Sequence, residues 1–136
     1  MKLLVNVDVE HLEKATRFYC DALGLRVGRR FDGAIELLGL EAPVYLLEKA
    51  KDTEAYSGGV RRDYARHWTP VHLDFAVTDL ARAVARAKAA GAVLEHDIQN
   101  NSWGRIAMFS DPFGNGFCLL EFIGRGYDEI TKKVHV

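Results

Sequence analysis

The chain has 136 residues, 49% of them hydrophobic and 27% charged, which suits one soluble globular domain built around a single core. Its 18 basic and 19 acidic side chains leave a formal net charge of -1, so it carries no electrostatic footprint for nucleic acid. No run approaches the roughly 20 apolar residues of a membrane span, the first residues lack a signal-peptide pattern, and Cys20 and Cys118 show neither zinc spacing nor a disulfide framework; a cytoplasmic protein without membrane partner is expected.

Residues 2–9 alternate apolar and polar side chains, the mark of a half-buried strand. Val5, Val7 and Val9 then face one way, with Leu4, Asn6 and Asp8 opposite. Apolar residues recur with helical spacing at Leu12, Ala15, Tyr19, Ala22 and Leu23, and Gly24 stands where a left-handed cap belongs. Three strands are expected next, Arg26–Phe31, Ala34–Leu38 and Val44–Glu48. The order repeats: a strand over 71–77, a helix capped by Asp79 or Thr78 and stopped by Gly91, and strands over 92–95, 105–109 and 117–123. Asp111-Pro112-Phe113-Gly114-Asn115-Gly116 joins the last two as a hairpin loop.

The chain is therefore two βαβββ modules in one domain: module one over about 1–49, a linker over about 50–69, module two over about 70–124, and a polar tail over 125–136 with no role assigned. The offset between copies is 68 residues at the first strand and 73 at the last, which places a short insertion around 99–103. Superposing the copies makes Leu4, Glu48, His72 and Glu121 equivalent. Three of the four carry donor groups.

The motifs Phe18-Tyr19…Leu23-Gly24-Leu25, His72-Leu73-Asp74-Phe75-Ala76-Val77, Trp103-Gly104-Arg105 and Asp111-Pro112-Phe113-Gly114-Asn115-Gly116…Glu121 resemble the vicinal oxygen chelate superfamily. That superfamily includes glyoxalases, extradiol dioxygenases and bleomycin-binding proteins. The resemblance implies an α+β fold of tandem βαβββ modules forming a curved mixed sheet around a cup, and a homodimer. It implies a divalent metal (Mn, Fe, Ni, Zn or Mg) at His72, Glu121 and Glu48, acting as Lewis acid on a small-molecule substrate in a lyase, isomerase or dioxygenase-like reaction. Glu121 or Glu48, once off the metal, would be the catalytic base.

Leu4 departs from the pattern, because the superfamily places His or Gln there and leucine has no donor atom. A standard glyoxalase reaction is accordingly not expected. The alternative is a metal-free sequestration protein of the bleomycin-resistance type, holding an aromatic or cationic compound. Asn6, Asp8, Asp74, Trp103 and Arg105 are candidate substrate-pocket residues, and Arg61, Arg62, Tyr64, Arg66, His67 and Trp68 a candidate lid. For His72 the plain reading is a hydrogen bond to Asp74 on a solvated sheet face; for Arg105 it is a structural salt bridge.

Overall fold

A computed structural model describes residues 1–132. Module one contains β1 (Val5–Val9), α1 (Leu12–Leu23), β2 (Arg26–Phe31), β3 (Ala34–Leu38) and β4 (Val44–Glu48). Module two contains β5 (Leu73–Ala76), α2 (Leu80–Ala89), β6 (Val93–Leu94), β7 (Gln99–Asn101), β8 (Gly104–Ser110) and β9 (Gly116–Phe122), followed by a 3-10 turn at Gly126–Glu129. The residues expected to form a short inserted loop instead make β7, which hydrogen-bonds along β8. Both first strands are shorter than the alternation suggests, so Leu4 and His72 each stand just before a strand.

Each module keeps its own sheet, in the orders β1-β4-β3-β2 and β5-β9-β8-β6. The registers match: β1 runs parallel to β4 with Val5 beside Val44, and β5 runs parallel to β9 with Leu73 beside Phe117. No strand pairing joins β1 to β5 among the described residues.

Alternation decides which side chains reach the core. Val9, Ile35, Leu37, Val44 and Leu46 from module one, and Ala107, Phe109, Phe117 and Leu119 from module two, turn to the helices. There they meet Ala15, Phe18, Tyr19 and Ala22 of α1 and Leu80, Val84 and Ala87 of α2, in one continuous cluster. The helices pack on each other across the module boundary. Phe18 and Phe113 form an edge-to-face pair at 5.8 Å, and the buried Tyr19 hydroxyl donates to Asp111 of the β8–β9 loop. Asp111 also accepts from the backbone N–H groups of Phe113 and Asn115, which fixes that loop. Gly24 ends α1 in the left-handed region at φ 70°, as its position in the sequence suggested. No helix among the described residues is long and apolar enough to cross a membrane.

Candidate functional site

The two glutamates equivalent in sequence are equivalent in structure, but the face they occupy is the helix face. Glu48 follows Val44 and Leu46 in alternation, and Glu121 follows Phe117 and Leu119. Glu48 Oε2 accepts the backbone N–H of Leu12 at 2.9 Å, and Glu121 Oε2 accepts that of Leu80 at 2.7 Å. Leu12 and Leu80 are the first residues of α1 and α2, whose N–H groups have no acceptor within the helix. A carboxylate there satisfies a donor and faces the positive end of the helix dipole. In module one this replaces a cap that His11 does not supply, since its side chain makes no capping bond. The Leu80 N–H, followed by the Arg105 guanidinium at 3.2 Å, holds the Glu121 carboxyl below its ordinary range.

His72 lies on the opposite face of the module-two sheet from Glu121. Its Nε2 is 3.1 Å from Asp74 Oδ1. Asp74 is the register partner of Cys118 on β9, so their side chains stand side by side on one face. One donor atom from each of His72, Asp74 and Cys118 falls within 4.8 Å of the others, and this is the one such group of three among the described residues. Burial, followed by the neighbouring Asp74, pushes the Cys118 thiol up to about 12.

The set expected for a metal thus divides. His72 and Glu121 take opposite faces of the module-two sheet, Glu48 takes the helix face of the module-one sheet, and Leu4 is half-exposed at the chain entrance to β1. Both carboxylates are engaged at helix ends, Glu121 on the opposite face of the module-two sheet from His72 and Glu48 in the module-one sheet. Cys118 was missed in the sequence because a single strand cysteine reads as core. The signal was the parity of β9: residue 118, not 121, shares the face of His72 and Asp74.

A cavity of about 430 Å³ opens between β1 and β5. Its walls are apolar and come from both modules, with Val7, Leu23 and Leu25 on one side and Phe75, Phe113 and Phe117 on the other. Asn6, Asp8 and His72 line it too, together with Arg61, Arg62, Tyr64 and His67 from the strap over residues 50–69. That strap is tied down at both modules. Arg62 Nε donates to Asp8 Oδ2 on β1 at 2.9 Å, and its Nη1 donates to the Glu54 carbonyl at 2.6 Å. The Tyr64 hydroxyl donates to the Lys49 carbonyl, and Arg66 forks onto both oxygens of Glu95 at 2.9 and 3.1 Å. The strap runs over Gly114, where φ is 95° and a Cβ would stand 2.7 Å from the Ala65 carbonyl.

Of the other candidates, Asp74 and Arg105 do not line the cavity. Arg105 pairs with Glu121. Trp103 packs away from it, against Phe122 at 6.1 Å and Tyr127 at 5.1 Å. Trp68 is 81% exposed and does not line the cavity.

Two tandem modules with matching parallel first-to-last strand registers define the architecture of the vicinal oxygen chelate superfamily. The family described as a glyoxalase-like domain matches residues 4–120, and the chain belongs to that family. No curated protein matches it. Among solved structures it is similar to the fosfomycin resistance protein FosX from Mesorhizobium loti, at 18% identity and TM-score 0.70 over 96% of this chain and 98% of that one. A glyoxalase/bleomycin resistance protein/dioxygenase family enzyme from Burkholderia phytofirmans is similar at 19% identity and TM-score 0.70, covering 88% and 97%. A lactoylglutathione lyase from Agrobacterium tumefaciens shares 19% identity at TM-score 0.62, covering 89% and 92%. At such identities the likeness concerns the fold.

Proposed function

We propose that this chain is a small-molecule binding member of the family, which holds a largely apolar, aromatic-compatible ligand between β1 and β5 under the strap. The cavity carries this reading. Its volume lies in the range of about 300–1,000 Å³ typical of drug-sized ligand sites, and its lining pairs an apolar interior with polar groups at Asn6, Asp8 and His72. Phe75, Phe113 and Phe117 offer ring faces and edges to an aromatic guest. The engagement of Glu48 and Glu121 at helix ends supports binding without a metal at those residues. A metal-dependent reaction in this chain needs a different donor set.

The same reading takes in a second copy of the chain. β1 and β5 are the edge strands of their sheets, and Leu3, Leu4 and Val71 beside them are exposed apolar side chains. An edge of this kind is usually covered, and a homodimer would cover it. The free thiols Cys20 and Cys118 suit a reducing cytoplasm.

A thermal-shift screen of aromatic and cationic compounds, run with and without a chelator, tests the function. Stabilisation that survives the chelator supports the reading. Stabilisation that appears only with added metal contradicts it.

A further inference from the structure

We propose that the cavity between β1 and β5 selects an amphipathic anion, an aromatic body with a carboxylate- or sulfonate-type head, and that Arg61 of the strap receives the head. This rests on the cavity being a ligand site and adds the charge of its occupant.

The formally charged side chains that line the cavity are Asp8, Arg61, Arg62 and Asp63. Asp8 is answered by Arg62, whose Nη1 also donates to the Thr53 hydroxyl and the Glu54 carbonyl. Asp63 turns onto the strap itself, where its Oδ1 accepts the Ala65 backbone N–H at 2.9 Å. Arg61 enters no ion pair among the described residues. Its side chain makes one bond, from Nη1 to the Asp52 carbonyl at 2.6 Å, and its Nε–Nη2 edge has no protein acceptor among those residues.

Elsewhere in this chain the same edge of an arginine takes a carboxylate. Arg29 and Arg66 each use Nε and Nη2 to fork onto both oxygens of a glutamate, Glu36 and Glu95. The planar fork matches an oxyanion with two oxygens, and the ionic bonds are stronger than neutral ones. The backbone that carries Arg61 is held in place. Arg61 bridges Glu54, the Arg62 N–H donates to the Thr53 carbonyl, and the Asp52 N–H donates to the Arg62 carbonyl. A group fixed in advance costs less ordering when the ligand arrives.

The rest of the lining sets the other half of the ligand. The hydroxyls of Tyr19 and Tyr64 and the Asn115 amide are already bonded within the protein. Leu23, Val44, Phe75 and Phe117 supply apolar wall, so a ring lies against the strands while a charge lies toward the strap. A cationic head would have to compete for Asp8 and Asp63, both of which already accept a bond.

Two dyes that differ only in the sulfonate test this, 1-anilinonaphthalene-8-sulfonate and the uncharged N-phenyl-1-naphthylamine, each titrated into the purified full chain. Arg61→Gln is expected to lower the ratio of anionic to neutral dye affinity about tenfold, the scale of a lost bond to a charged group. In wild type, raising salt from about 20 to about 500 mM is expected to weaken the anion and not the neutral dye. An unchanged ratio in folded Arg61→Gln, or anion binding indifferent to salt, overturns the proposal while leaving the cavity a ligand site. Failure of both dyes to bind wild type overturns the ligand site itself, and the proposal with it. If Arg61→Gln does not fold, as judged by its melting curve, Arg61→Lys takes its place, since lysine keeps the charge and loses the fork: an unchanged ratio there overturns the proposal.

Discussion

The carboxylate of Glu121 accepts the backbone N–H of Leu80 at 2.7 Å, although 41 residues separate them in the chain. The same bond, from Leu12 to Glu48 at 2.9 Å, recurs in module one across 36 residues. The last strand of each module therefore reaches back to cap that module's own helix, and the duplication preserves a structural device.

Removing these caps should weaken folding and leave the cavity intact. Glu48→Ala is expected to cost about 0.5–2 kcal/mol, the range for a lost N-cap acceptor. Glu121→Ala is expected to destabilise more, because Arg105 loses its partner as well. Urea unfolding of both variants checks the order. Equal stability of Glu121→Ala and wild type would contradict the cap assignment.

Glu36 should make the protein acid-sensitive. Its side chain is buried and accepts from the Arg29 side chain and backbone N–H and from the Tyr45 hydroxyl, which lowers its carboxyl from 4.5 to about 2. Arg29 side-chain bonding is the largest cause, with its backbone N–H next. A depressed carboxyl binds fewer protons folded than unfolded, so its stabilisation is complete above pH 4.5 and is lost as pH falls toward 2. Glu36→Gln should flatten the slope of unfolding free energy across that window. An unchanged slope would show that other carboxylates carry it.

How much of this was legible in advance follows from what strand alternation can and cannot say. The helix Leu12–Leu23, its Gly24 cap and strands Arg26–Phe31, Ala34–Leu38 and Val44–Glu48 stand where periodicity put them, because each carries its own local signal. β7 carries none: Gln99, Asn100 and Asn101 are polar and exposed, and only pairing with β8 makes them a strand. The faces taken by the expected donors were not legible for a different reason. Superposing the modules showed that Glu48 and Glu121 are equivalent, but sequence equivalence is silent about the face. Parity along β9, with Phe117 and Leu119 in the core, already put Glu121 opposite His72. Trp103 was drawn toward the pocket by its aromatic character, yet its ring partners are the half-exposed Phe122 and Tyr127, and none of the three lines the cavity.

The strap should respond to a single methyl group at Gly114. A Cβ there would strain the left-handed backbone and press on the Ala65 and Tyr64 carbonyls at 2.7 and 3.0 Å. Gly114→Ala is expected to speed hydrogen exchange at Asp52, Ala55 and Arg62, whose amides bond within the strap, while α1 and α2 exchange as before. Uniformly faster exchange throughout the chain would instead report global destabilisation.

The most direct test is titration with the fluorescent apolar anion 1-anilinonaphthalene-8-sulfonate, with and without chelator, for wild type, Val7→Trp and Glu121→Ala under conditions where all three are folded. Val7→Trp places an indole in the cavity, and Glu121→Ala alters a helix end and its Arg105 pair, neither of which lines the cavity. The account predicts saturable binding that ignores the chelator, persists in Glu121→Ala and disappears in Val7→Trp. Binding that needs a metal, fails in folded Glu121→Ala, or survives in Val7→Trp would contradict it.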